Sequence, residues 1–261
     1  MLTRNLDKAK EAFINKDKEA SRLAHDNKRK HEPHSSHGQY IGSLIYGGLD
    51  GTITTFAVVA GVAGALLSMG VVLIMGFANL LADGLSMAIG DYLSTKAELE
   101  YQQIERERET WEVEHYPEGE KKEMKELYMA KGMAGEDAQA MVDILARNKE
   151  AWVDVMMAEE LGIVETDESP INNAIVTFLS FLIFGFVPLI VFITATFIPG
   201  LMNIAFIVAA VLTGITLFVL GALKVKVTER SWIKSGLEML IVGGLTAIVA
   251  FLIGKFLSVL A

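Results

Sequence analysis

Five apolar stretches constrain this sequence more than any other feature. They cover residues 41–69, 71–95, 173–197, 202–224 and 233–257. Each reaches the roughly 20 residues that an α-helix needs to cross a bilayer. Because backbone polar groups inside a membrane must be satisfied within the segment itself, such stretches form helices. The sequence therefore predicts an all-α membrane protein, multi-pass and integral to a lipid bilayer, with five transmembrane helices.

The polar segments between these stretches divide the chain into four parts. A charged arm (residues 1–39) precedes the first two spans (residues 40–95), and an insert (residues 96–172) separates them from the last three (residues 173–261). No Pro or Gly interrupts the sequence from Asp91 to His115, so a helix is expected to continue out of the second span. Two more helices are expected after it, the last with a break near Asn148. The insert is predicted to be a cytosolic three-helix metal-binding domain.

The distribution of basic residues indicates the orientation. The turns at residues 68–70 and 198–203 contain no Lys or Arg, whereas the arm and the loop at 224–234 are rich in both. Since these residues concentrate on the cytoplasmic side, the N-terminus and the insert are expected in the cytosol. The arm has no apolar core of the signal-peptide type. No targeting extension is visible, which favours a prokaryotic plasma membrane over a vacuolar membrane.

Composition excludes several classes of protein. The chain has no cysteine, which excludes disulfides, iron–sulfur clusters and thiolate metal sites. The formal net charge of −9 argues against nucleic acid as a partner. The sequence contains no nucleotide motif, nucleophile arrangement or complete di-iron set, so neither an enzyme nor an organic cofactor is expected.

Polar residues recur at every fourth position of the second span and form what we call the acidic stripe. Its members are Asn79, Asp83, Met87 and Asp91. Residues at this spacing share one helix face, and an ionised group facing lipid would cost at least ~2.5–3.5 kcal/mol. In the first span, Asp50 and Thr54 form a matching set. A polar seam between helices is one interpretation, but seams usually use Ser, Thr or Asn, so the carboxylates favour a cation pathway.

Two pairs of glutamates and one methionine–glutamate pair in the insert have three-residue spacing, which lets two side chains converge. The pairs are Glu109 with Glu112, Glu120 with Glu123, and Met157 with Glu160, and Met156 lies four residues before Glu160. Carboxylates alone would suit Ca(II), Mg(II) or Mn(II), whereas thioether sulfur favours softer transition metals. The alternatives are a solvated helix surface for the glutamates and core packing for the methionines.

Two further patterns carry less information. Four histidines of the arm could chelate a metal, although a flexible tail is the favoured interpretation: His25, His31, His34 and His37. Glu112 and His115 form one Glu-x-x-His element, and di-iron bundles need two such elements with two further glutamates. We interpret this single element as coincidence.

Three motifs resemble the vacuolar iron transporters and their prokaryotic relatives. They are "DGTITTFAVVAG" in the first span, "ADGLSMAIGDYL" in the second and "WVDVMMAEELG" at the end of the insert. The resemblance covers nearly the whole chain after the arm. It implies a five-span protomer that forms a homodimer, with long second helices that carry cytosolic metal-binding domains. It also implies export of Fe(II), often of Mn(II) as well, with protons as the coupling ion.

The resemblance also assigns residues. The family's intramembrane acid and methionine match Asp50 and Met87, and it assigns nothing to Asp83 or Asp91. Its metal-domain ligands fall on Glu109, Glu112, Glu120, Glu123, Met156, Met157 and Glu160. The expected function is therefore export of Fe(II) or Mn(II), which the protein binds and transports, by proton antiport through a pathway at the dimer interface. The alternatives are a passive divalent-cation channel and a membrane-anchored metal-binding or storage protein.

Overall fold

The computed structural model describes residues 11–25, 40–164, 166, 168–228 and 231–259. Two compact units, residues 1–41 and 42–261, make up the chain. In the first unit, helix α1 (Lys18–His25) begins where Asp17 Oδ1 accepts hydrogen bonds from the backbone nitrogens of Glu19 and Ala20. His31, His34 and His37 lie outside the described residues.

The second unit consists of helices joined by short connections. In chain order they are α2 (Ile41–Gly64), α3 (Met69–His115), α4 (Pro117–Ala130), α5 (Gly135–Leu145), α6 (Lys149–Glu159), α7 (Pro170–Phe197), α8 (Ala205–Thr228) and α9 (Trp232–Leu257), with a 3-10 segment at Pro199–Ile204. Helices α2, α3, α7, α8 and α9 are long and apolar enough to cross a membrane, α8 together with part of the 3-10 segment. The prediction of five apolar membrane-spanning helices is therefore confirmed at the level of length and composition.

The first span ends earlier than the sequence predicts. Helix α2 stops at Gly64 rather than at residue 69, because Leu66 adopts a positive φ of 58°. The Leu67 nitrogen then donates to the Val62 carbonyl at 3.1 Å and closes the helix end. This is the hydrogen-bond pattern of a helix C-terminus with one left-handed residue.

Helix α3 continues from the membrane into the insert, as predicted. Its 47 residues correspond to about 70 Å of helix, more than twice the thickness of a hydrocarbon core. Helices α4 and α6 pack on its outer part, and α5 packs on α4, around an apolar core that includes Met124, Val142 and Trp152. The predicted break occurs at Asn148, whose side chain accepts a hydrogen bond from the Ala151 nitrogen and caps α6.

Glycines let α2 approach α7 very closely. A Cβ atom on Gly51 would lie 2.4 Å from the carbonyl oxygen of Phe181, and one on Gly47 would lie 2.5 Å from that of Thr177. Close approach through small residues is a general means of packing helices in membranes. It fixes α2, which carries Asp50, against α7.

Replacing Gly51 by Ala is expected to lower the free energy of unfolding by about 1–3 kcal/mol, the usual cost of overpacking. The new methyl group would meet backbone atoms of Phe181, which cannot turn aside as a side chain can. Thermal unfolding in detergent measures the effect. Gly42→Ala is the control, because a Cβ atom there meets nothing within 4 Å. Equal stability of the two variants would contradict the close α2–α7 contact.

Candidate metal centre

Three carboxyl groups from separate helices converge in the insert. Glu109 of α3, Glu120 of α4 and Glu160, which follows α6, each place an oxygen within 4.8 Å of those of the other two. Glu109 and Glu120 are 2% and 5% exposed, whereas Glu160 is exposed. We call this group the carboxylate cluster. It unites one member of each pair that the sequence spacing identified.

The turn between α3 and α4 brings two members of the cluster together. Helix α3 ends at His115, and Pro117 starts α4 almost immediately, with Tyr116 as the only residue between them. Proline suits the first position of a helix, where its missing N–H is not needed. Glu109, near the end of α3, therefore faces Glu120, near the start of α4.

Two oxygen atoms of the cluster are buried without a hydrogen-bond partner among the described residues. They are Oε2 of Glu109 and Oε2 of Glu120. Burying a carboxylate is costly unless hydrogen bonds or an opposite charge compensate it. A divalent cation would supply that charge, and oxygen donors suit Mn(II) and other hard or intermediate cations. The residues present therefore fit a divalent metal ion.

Electrostatics extends this group to Glu112 and Glu123. Burial, followed by the nearby negative charges, raises the pKa of Glu109 and of Glu120 to about 7. Burial also raises the pKa of Glu160, with Glu123 and Glu112 as the next causes. Five predicted carboxylates thus act on one another, although only three have converging oxygens.

The predicted methionine ligands lie in the apolar core of the insert. Met156 and Met157 are each 1% exposed and pack in the same cluster as Trp152. The backbone nitrogen of Glu160 donates to the Met156 carbonyl at 3.0 Å, so the helix turn that carries Met156 also orients Glu160. This burial is what core packing requires, and ligation through sulfur stays a prediction.

Ion pairs that the sequence analysis did not identify hold α6 against its neighbours. Arg106 of α3 contacts Asp154 at 2.6 Å, Lys149 pairs with Glu114, and Lys131 pairs with Glu159. Each pair is partly exposed and contributes little stability, about 0–1 kcal/mol. Their effect is to orient α6 and thus Glu160. Sequence spacing gave no signal for pairs between residues so far apart.

His115 does not join the carboxylate cluster. Its ring stacks on Trp111 with centroids 4.4 Å apart, and its Nδ1 atom lies 2.8 Å from the Trp111 carbonyl oxygen. His115 therefore has a local packing role in the described structure, whereas Glu112 acts on the carboxylate cluster.

Within the spans, α2 and the acidic stripe of α3 face each other. Asn79 Nδ2 lies 3.4 Å from Thr54 Oγ1, and Thr54 Oγ1 donates to the Asp50 carbonyl at 2.8 Å. The carboxylates of Asp50 and Asp83 are close enough to repel each other. All four residues are half-buried. The structure therefore brings together the sets that the sequence identified separately on the two helices.

The stripe ends in a cavity of about 330 Å³, lined by Tyr46, Met87 and Asp91 together with Gly90 and Ser94. Asp91 also accepts a hydrogen bond from Thr177 Oγ1 of α7. The hydrogen bond to Thr177 is typical of a polar seam between helices, whereas a position at a cavity is expected of a cation pathway. Asp91 therefore shows features of both. Thr177 was not identified from the sequence, because an isolated threonine in an apolar span carries no distinctive pattern.

The sequence is similar to known proteins over most of its length. The sequence model of the VIT family matches residues 41–255. A protein of Toxoplasma gondii named vacuolar iron transporter is 41% identical, over 98% of this chain and 89% of its own length. The vacuolar iron transporter of Plasmodium falciparum is 37% identical, over 99% of this chain and 98% of its own length. Vacuolar iron transporter 1 of Arabidopsis thaliana is 31% identical, over 86% of this chain and 88% of its own length.

The carboxylate cluster should make the metal-free protein less stable as the pH rises. Because folding raises the pKa of Glu109 from 4.5 to about 7, its contribution to stability is present below about pH 4.5 and is lost as the pH passes through about 7. Glu109→Gln should reduce this loss and unfold a few degrees higher than wild type at pH 8. Tryptophan fluorescence during heating of the full chain, to which the buried Trp152 contributes, reports the transition.

Mn(II) at pH 8 should raise the transition of the wild type more than that of Glu109→Gln, because bound cation replaces the lost protons. Glu126→Gln, at an exposed position of α4, is the control and should behave as wild type. A wild-type midpoint that rises between pH 5 and 8 relative to that of Glu109→Gln would contradict the prediction.

Proposed function

The chain belongs to the VIT family, and we propose that it exports Fe(II) or Mn(II) from the cytosol by proton antiport. The resemblance inferred from three motifs is thereby confirmed, and the names of the relatives support transport of iron. Manganese, the direction and the coupling to protons are proposals. The observation that supports metal transport is the convergence of Glu109, Glu120 and Glu160. Glu109 lies on the same helix as the acidic stripe.

In the proposed mechanism, the insert lies in the cytosol and captures the metal first. The carboxylate cluster offers three oxygens to one ion, and Glu112 and Glu123 add negative potential around it. A negative field raises the local concentration of cations. Met156 and Met157 lie next to this site in sequence, and we propose that they supply sulfur ligands when a transition metal binds.

The metal then enters the membrane between the first two spans. The cavity at Met87 and Asp91 is proposed as the entrance, and Asp50, with Asp83 close by, as the site midway. Thr54 and Asn79, which contact each other, complete the polar lining.

Proton coupling follows from competition at a carboxylate. A carboxylate can hold a proton or ligate a metal ion, and metal binding releases the proton. If Asp50 alternates between the two states on opposite sides of the membrane, outward metal movement requires inward proton movement. This is the proposed basis of antiport.

A homodimer is supported by an apolar stripe on the outer part of α3. At 100° per residue, Tyr101, Ile104 and Trp111 fall within an arc of about 80°, and each is more than half exposed. The face that carries Glu109 is directed elsewhere, toward α4 and α6. An exposed apolar row outside the bilayer marks an interaction surface, and a second parallel copy presents a matching row. We propose that the copies pair here and that the pathway lies at their interface.

The sequence-based expectation of a prokaryotic plasma membrane and a cytosolic N-terminus is kept as a proposal. The relatives are named vacuolar transporters, which places those proteins in a vacuolar membrane. In both cases the metal leaves the cytosol. The five apolar helices support a multi-pass membrane protein in either membrane.

Two rival functions predict different behaviour. A passive cation channel would use the same acids but would not couple to protons. A membrane-anchored storage protein would need no intramembrane carboxylates, so the half-buried Asp50 and Asp83 speak against it.

Asp50→Asn is expected to abolish metal flux, because the amide cannot exchange a proton for a cation. Glu109→Gln should instead raise the metal concentration for half-maximal flux by roughly tenfold, in line with the loss of one charged ligand, and leave the maximal flux nearly unchanged. Uptake of Mn(II) into vesicles with the reconstituted full chain measures both. Thr216→Val, at a hydroxyl bonded within α8, is the control. Normal flux in Asp50→Asn would refute the proposed pathway.

An imposed pH gradient distinguishes antiport from a channel. Metal accumulation should rise when protons can flow in the opposite direction and should stop when an ionophore collapses the gradient. Internal pH and Mn(II), followed by fluorescent indicators in the same vesicles, should change together. Metal flux down its own gradient with no movement of protons would favour the channel.

Ile104→Lys is expected to weaken the dimer at least tenfold, because it places a charge in the apolar stripe. Gln103→Lys, the adjacent exposed residue outside the stripe, should not. Analytical ultracentrifugation in detergent measures the monomer–dimer equilibrium. An unchanged dimer in Ile104→Lys would exclude this face as the interface.

A further inference from the structure

Thr177 of α7 makes a different hydrogen bond from several other threonines of the spans. Its hydroxyl donates to Oδ2 of Asp91, which belongs to α3. Thr54, Thr196 and Thr216 instead donate to the backbone carbonyl four residues earlier in their own helices. That bond is a common one for Ser and Thr inside a helix. The Thr177 hydroxyl therefore serves a contact between two helices rather than one within its own helix.

The position of this hydroxyl is fixed from two sides. A Cβ atom on Gly47 would lie 2.5 Å from the Thr177 carbonyl oxygen, so α2 and α7 touch at this residue, which is fully buried. One turn earlier in α7, Asn173 Nδ2 donates at 3.4 Å to Oγ1 of Thr95, which lies one turn after Asp91 in α3. The two hydrogen bonds between α3 and α7 set their register at this level. The Thr177 hydroxyl thus has a defined place opposite Asp91.

Asp91 keeps a second carboxylate oxygen for another partner. Among the described residues, Thr177 is the one hydrogen-bond partner of this carboxylate, and the Oδ1 atom of Asp91 is not buried. Asp91 lines the cavity of about 330 Å³ at the end of the acidic stripe. This volume is many times the roughly 30 Å³ of one water molecule. A cation can therefore reach Oδ1 with part of its water shell still bound.

The direction of Oδ1 depends on the bond that Oδ2 makes. The outer torsion of an aspartate has a broad range, so an unrestrained carboxylate would point in many directions. Hydrogen bonds from neighbouring groups are the usual means by which proteins orient a carboxylate that ligates a metal. Met87, one turn before Asp91 on the same helix, lines the same cavity. An oriented Oδ1 and the Met87 thioether then present two donors in succession along α3.

We propose that Thr177 is the positioning residue of the metal entrance, an inference that rests on the proposed function. Its hydrogen bond holds Oδ2 of Asp91 against α7 and directs Oδ1 into the cavity, where this oxygen binds the incoming divalent cation before Met87 does. Asp91 is the ligand, and Thr177 sets its direction without contacting the metal. A purely structural seam would use the same bond only to hold α7 against α3.

Uptake of Mn(II) into vesicles with the reconstituted full chain tests the inference. Thr177→Val removes the donor and keeps the branched shape of the side chain. It should raise the Mn(II) concentration for half-maximal flux by roughly 2- to 10-fold, the effect of one net hydrogen bond, and leave the maximal flux nearly unchanged. Thr177→Ser keeps the hydroxyl and should stay close to wild type. Thr196→Val, whose hydroxyl is bonded within α7, is the matched control and should change nothing.

A double-mutant cycle separates positioning from a structural role. Asp91→Ala should raise the half-maximal concentration by itself, and Thr177→Val added to it should cause no further rise, because the hydroxyl acts through the carboxylate. Thr177→Ala replaces Thr177→Val if the latter unfolds in a thermal assay.

Three outcomes would overturn the inference: an unchanged half-maximal concentration in Thr177→Val or in Asp91→Ala, an equal rise with and without the Asp91 carboxylate, or a fall in maximal flux alone. In each case the loss of flux in Asp50→Asn would leave the proposed function standing. An absence of Mn(II) flux in the wild type would instead overturn the proposed function, and the entrance with it.

Discussion

Negative charge held away from water is the constraint on which both polar regions of this protein depend. In the insert, Arg108 opposes only part of the repulsion that Glu112, Glu123 and Glu160 exert on Glu109. A folded chain tolerates such a group when protons or cations neutralise it. The same condition that makes the cluster unfavourable when empty and ionised makes it a suitable place for a metal ion. Stability and metal affinity are therefore two aspects of one arrangement.

The helices meet this constraint through geometry rather than through local sequence. Helix α3 carries the acidic stripe and Glu109 on one continuous element. Helix α7 contacts α2 through Gly51 and reaches Asp91 through Thr177. Helix α7 thus contacts both helices that carry the intramembrane acids, and these contacts keep Asp50 opposite the acidic stripe.

The sequence predicted the long elements well because hydrophobic length is a strong physical signal, as is the absence of Gly and Pro between Asp91 and His115 of α3. It misplaced the end of α2, since the turn at Leu66 is as apolar as the helix before it and only its positive φ marks the boundary. Spacing identified the acidic pairs on each helix. It could not predict that Glu109, Glu120 and Glu160 would meet, because that depends on how α3, α4 and α6 pack. The Thr177–Asp91 contact was missed for the same reason.

The continuity of α3 has a mechanical consequence. Met87 and Glu109 are 22 residues apart on one helix, which corresponds to about 33 Å of rigid rod. A tilt of about 10° at the membrane end would displace the outer end by about 6 Å, given that helical rise. A small adjustment among the spans is therefore amplified at the insert, as by a lever arm. Movements of the insert and of the membrane spans are therefore mechanically coupled through α3.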